Sequence, residues 1–92
     1  MVNAIVLITV DRGRVNDVAQ QLVALNGVTE VFSVAGRYDL VAVLRSPSNE
    51  RIADLVTRDI MAISYIANTE TLLAFQVFSK YDLEAMFSIG LD

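Results

Sequence analysis

The chain has 92 residues, a formal net charge of -4 at pH 7, 54% hydrophobic residues, and neither cysteine nor histidine. That length holds one core, so a single domain over residues 1–92 is expected. Without cysteine and histidine there are no disulfides, no thiolate chemistry, and none of the commonest metal ligand or general base. No cofactor and no metal is expected, and no catalytic constellation stands out, so the chain is read as non-enzymatic. The acidic balance and scattered arginines argue against direct nucleic-acid binding, which needs a basic stripe. No apolar run approaches the roughly 18 residues of a membrane span, and the start Met1-Val2-Asn3-Ala4 lacks a signal-peptide pattern. A cytoplasmic protein is expected.

In chain order, Val2 to Val10 is an apolar run with Ala4, Val6, Ile8 and Val10 on one strand face and Ile5 and Leu7 on the other. Such a strand wants cover on both sides. Asp11 has the chemistry of a helix N-cap, which predicts a helix from about Arg12 with Val15, Val18, Ala19, Leu22 and Leu25 as its buried stripe. Asn26-Gly27 stops it. Val28 to Val34 forms a second strand, Ala35-Gly36-Arg37-Tyr38 turns the chain, and Asp39 to Arg45 returns as a third strand, giving a hairpin.

Ser46-Pro47 predicts the next helix start, with Ser46 as N-cap and Pro47 at the first helical position. Its buried stripe is Ile52, Leu55, Val56, Ile60 and Ile63. A long fourth strand runs roughly from Tyr65 to Phe78, with Thr69 and Thr71 on an otherwise apolar face. Ser79-Lys80-Tyr81-Asp82 resembles a capping box, which predicts a short tail helix at about 80–88. The order is the ferredoxin-like split β-α-β repeat, β-α-β-β-α-β, an α+β fold with a C-terminal helix. Both helices cover one sheet face. Burying the other face on an identical sheet accounts for the apolar excess, so a face-to-face homo-oligomer, at least a dimer, is predicted.

The stretch Val34-Ala35-Gly36-Arg37-Tyr38-Asp39-Leu40 is the candidate recognition loop. Gly36 lets a ligand approach the backbone and leaves an amide hydrogen for a carboxylate, while Asp39 can accept from an ammonium group. Thr69 and Thr71 add hydroxyls on one face. Glycine and aspartate are also ordinary turn residues, and Asp39 can simply bond its local backbone.

These residues, with the Leu25-Asn26-Gly27-Val28 corner and the Asn68-Thr69-Glu70-Thr71 strand start, resemble the ligand-binding, oligomerising domain of the Lrp/AsnC (leucine-responsive and asparagine-type) transcription regulators. The resemblance covers nearly the whole chain and implies a stand-alone version without the helix-turn-helix domain. It further implies a dimeric α+β barrel assembling into rings of dimers, with an amino-acid effector held between dimers. By that analogy Gly36, Tyr38, Asp39, Leu40, Thr69 and Thr71 lie at the effector site, and full-length regulators of the same family are candidate partners. Two other readings stand beside it: a small dimeric α+β barrel enzyme of monooxygenase or isomerase type, and a purely structural oligomerisation unit.

Overall fold

β1 (Val2–Val10) forms because a nine-residue run of β-branched and aliphatic side chains leaves little to a helix, and it becomes the inner strand to which the sheet is tied. The computed structural model of the chain describes residues 1–78 and residue 80. The sheet has the order β2-β3-β1-β4, with β2 (Val28–Ser33) and β4 (Ile66–Ala74) at the edges and β3 (Leu40–Ser46) beside β1. Every neighbouring pair is antiparallel. Directly paired residues share a face, and the register therefore sorts the side chains. Ile8 pairs with Leu40 and Thr69, and Val6 with Ala42 and Thr71; Ile5 pairs with Val43 and Leu72, and Leu7 with Val41 and Glu70.

The first of these two faces carries both helices. Ala4, Val6, Ile8, Leu40, Ala42 and Leu44 are completely buried there, against Val18 and Leu22 of α1 (Val15–Val23) and Ile52 of α2 (Asn49–Asp54). α2 runs directly into a π-helical turn, Leu55–Ile60. An unbroken α-helix continuing the Ile52 and Leu55 stripe would aim Asp59 inward, four residues after Leu55. Five-residue bonding in the π turn puts Ile60 there instead, and Ile60 is completely buried while Asp59 stays exposed. The ferredoxin-like α+β architecture is thus present in the order the sequence predicts. No helix among the described residues is long and apolar enough to cross a membrane.

Two helix starts differ from expectation. α1 begins at Val15 and not near Arg12, because Asp11 to Arg14 forms a turn in which the Arg14 amide donates to the Asp11 carbonyl at 3.1 Å and Gly13 takes a φ of +81°. Asp11 therefore closes a turn and caps nothing. α2 is capped by Ser48, whose Oγ accepts from the Arg51 amide at 3.3 Å, whereas Ser46 is buried as the last residue of β3 and Pro47 lies outside the helix. Proline disfavours helical geometry in the residue before it, which keeps Ser46 extended. β4 is also shorter than the expected Tyr65 to Phe78: Tyr65 has a φ of +74° and the ladder ends at Ala74. The predicted tail helix at about 80–88 lies outside the described residues apart from Lys80.

Candidate functional site

The loop between β2 and β3 is fastened by three hydrogen bonds, two of them to the distant end of β1. The Val34 amide donates to the Asp39 carbonyl at 3.0 Å and closes the loop on itself; the Asp39 amide donates to the Ile8 carbonyl at 2.9 Å. The Val10 amide donates to Asp39 Oδ2 at 2.8 Å, so the carboxylate satisfies the end of β1 where its ladder with β3 gives out. Tyr38 reaches across the same strand end, and its hydroxyl donates to Glu70 of β4. That bond, with lesser help from partial burial and the Glu70 charge, holds the phenol above its ordinary value of 10.0, and Arg37 pulls weakly the other way.

Within this frame Gly36 stands open. Its φ of +133° lies in a region that side chains rarely adopt, and a Cβ built there would meet nothing within 4 Å. Its amide takes part in no hydrogen bond among the described residues. The glycine thus serves backbone geometry and leaves an accessible donor, rather than making room for a neighbouring protein group.

The remaining residues divide between the two faces. Leu40 is completely buried in the helix-side core, so it holds the loop's root and has no exposed side chain to offer. Thr69 and Thr71 are on that same face but on the edge strand, where Thr69 is half-buried and Thr71 exposed. Tyr38 and Glu70 meet beside the open face. One copy of the chain therefore brings Gly36, Tyr38 and Asp39 together and sets the two threonines across the edge of β4. The loop lines none of three surface depressions. One of these, about 270 Å³, is bounded by residues from Asn26 to Asp59, and another, about 520 Å³, by Arg14, Gln20, Gln21 and Tyr65. The third, about 270 Å³, opens on the other sheet face around Asn3, Val43, Ala74 and Val77.

Glu70 is the loop partner that sequence reasoning missed. Its only signal was its position between Thr69 and Thr71, which alternation assigns to the opposite face. The bond from Val10 to Asp39 spans 29 residues and had no signal beyond the aspartate itself. The reading in which Asp39 bonds only its local backbone is therefore replaced by a long-range one.

The open face is the other feature with functional weight. It presents Ile5, Leu7, Val41, Val43, Phe32 and Leu72, of which Phe32 is 49% and Leu72 46% exposed, and beyond β4 Phe75 is 96% and Phe78 83% exposed. Glu30, opposite Val43, and Glu70, opposite Leu7, interrupt this face, but so many exposed large apolar side chains on one side of a sheet are uncommon on a free surface.

Comparison with known proteins gives this arrangement a family. The sequence model described as the Lrp/AsnC ligand binding domain matches residues 3–83. The HTH-type transcriptional regulator FL11 of Pyrococcus furiosus is 28% identical over 77 residues, which make up 84% of this chain and 50% of that regulator, so the chain spans about half the length of this curated relative. Among solved structures, TTHA0845 of Thermus thermophilus superposes with a TM-score of 0.81 at 40% identity, covering 87% of this chain and 100% of that one. The feast or famine regulatory protein Rv3291c of M. tuberculosis, complexed with L-methionine, superposes with a TM-score of 0.72 at 26% identity, covering 87% of this chain and 54% of that one. With the match running over nearly every described element, the chain belongs to the Lrp/AsnC ligand-binding domain family.

Proposed function

We propose that this chain is a non-enzymatic effector module that binds a free amino acid at the β2–β3 loop and works as a homo-oligomer. The observation that carries the proposal is the loop's division of labour. Asp39 and Tyr38 are held by bonds to β1 and β4, while Gly36 is exposed and its amide has no partner among the described residues. A pre-ordered donor costs a ligand little entropy to engage. The ligand carboxylate takes the Gly36 amide, and the ammonium takes Asp39 Oδ1, which has no partner among the described residues, or Glu70. Thr69 and Thr71 lie on the other side of β4 from Glu70, so in this reading they meet a ligand held by a second copy of the chain, and Leu40 contributes by anchoring the loop. The L-methionine complex of the M. tuberculosis relative supports an amino acid as the ligand class.

The open apolar face supports a face-to-face dimer, the two sheets enclosing a barrel, and rings of such dimers would bring loops from different copies together. Partners then include full-length Lrp/AsnC-type regulators, with transcription as the process affected and the cytoplasm as its place. Calorimetric titration of the intact oligomer with each common amino acid tests the reading. Saturable heat with at least one of them is expected, together with an upward shift in melting temperature set by ligand concentration over Kd. Loss of that heat in Gly36→Val, with the oligomer intact by light scattering, assigns it to the loop. Silence across the whole panel overturns the proposal.

A further inference from the structure

We propose that the chain carries a second small-molecule site, remote from the β2–β3 loop, which takes a zwitterion of amino-acid size. β3 runs from Leu40 at the loop to Ser46, which puts its far end roughly 20 Å away at about 3.3 Å per residue. There a cleft of about 270 Å³ is lined by Gly27, Arg45, Arg51, Asp54, Leu55 and Asp59, among others. That volume is just under the roughly 300–1,000 Å³ of sites for drug-sized ligands, as suits a smaller molecule. None of Gly36, Tyr38, Asp39, Leu40, Thr69 and Thr71 lines it, so the inference is independent of the loop reading.

Two features distinguish this cleft from a gap between surface charges. The first is the π turn. In an α-helix Asp54 and Asp59, five residues apart, would diverge by about 140°. The turn over Leu55–Ile60 brings residues five apart toward one side, and both carboxylates line the same cleft. π turns of this kind are frequent at functional sites.

The second is an unmet charge pattern. Among the described residues the ion pairs are Arg14–Asp17 and Arg58–Asp54, so Arg45, Arg51 and Asp59 share one cleft without any of them reaching an opposite charge. An anion alone would gain the arginines and face Asp59; a cation alone would face the reverse. A molecule with a carboxylate and an ammonium close together engages both. The walls are fixed by backbone: the Arg45 amide donates to the Gly27 carbonyl at 2.8 Å, and Gly27 at φ +106° packs so closely that a Cβ would lie 3.0 Å from Leu55 Cδ2.

Backbone amide NMR of the full chain, titrated with neutral-side-chain amino acids and separately with acetate and with methylammonium, tests this. Saturable shifts at Gly27, Arg51 and Asp59 are expected with at least one amino acid, and at least tenfold weaker binding with either half-ligand. Arg51→Ala and Asp59→Asn, both at exposed positions, are each expected to weaken the cleft's affinity about tenfold and to leave any response at Gly36 to Asp39 unchanged. No saturable shift at the cleft with any amino acid, acetate binding as tightly as the amino acid, or unchanged affinity in either variant overturns the proposal.

Discussion

The Asp39 carboxylate accepts from the Val10 amide at 2.8 Å in a partly buried setting, so the residue that a sequence reader assigns to a turn also closes the end of β1. Hydrogen bonds to a charged group contribute about 1.5–3 kcal/mol. Asp39→Ala is therefore expected to lower the unfolding free energy by about that amount. Asp39→Asn keeps an acceptor without the charge and should cost roughly half as much. Urea unfolding measures both, and equal losses would show that the charge contributes nothing. The Tyr38–Glu70 bond makes a separate claim. Because it holds the phenol above 10.0, its contribution to stability is present below that pH and is lost as pH rises through the higher folded value. In Glu70→Ala, ultraviolet titration is expected to show Tyr38 ionising at lower pH than in the parent, with Tyr38→Phe identifying its signal among the tyrosines. An unshifted Tyr38 would mean that Glu70 does not hold it in solution.

At the scale of elements, the most exacting contact is the corner after α1, where Gly27 carries a positive φ and presses on Leu55. Gly27→Ala would place a Cβ in a backbone region that costs about 1–3 kcal/mol for other residues, and Leu55 would also have to give way. A destabilisation near the top of that range is expected in thermal unfolding, against less at Gly36, whose surroundings are open. The same corner shows what the sequence could convey. Asn26-Gly27 announced a stop because few residues tolerate that geometry, and the unbroken runs of β1 and β3 announced a sheet wanting cover on both faces. Helix starts were harder to read: Ser46 and Ser48 offer the same hydroxyl two residues apart, and Asp11 caps equally well on paper, so turn geometry at Gly13 and Pro47 chose between them. The π turn left one mark, Asp59 falling inside the stripe that Ile52, Leu55, Val56, Ile60 and Ile63 would form on an ordinary helix. At the loop, Gly36 was legible through its chemistry, whereas Glu70 lies 32 residues from Tyr38 and only the sheet register brings it near.

For the whole molecule the question is whether the open sheet face suffices to hold two copies together. Strands about 4.8 Å apart and about six residues long give a footprint of roughly 400 Å² on each copy. Two such faces bury about 800 Å², below the roughly 1,200 Å² at which stable interfaces begin. A dimer built on the sheet alone would be weak, and apolar surface outside the sheet has to contribute. Phe75 and Phe78, almost fully exposed where the chain leaves β4, are placed to do so. Burying each phenylalanine side chain is worth about 1.5–3 kcal/mol and a dimer holds four of them, so Phe75→Ser with Phe78→Ser is expected to raise the dimer dissociation constant by roughly 10⁴ or more. Val41→Glu, opposite Phe32 on the same face, would place a charge between two sheets and is expected to shift the chain toward the monomer. Sedimentation equilibrium distinguishes the cases. Dissociation by Val41→Glu with no effect of the phenylalanine pair would confine the interface to the sheet and contradict the area argument, while a parent chain that sediments as a monomer would remove the dimer altogether.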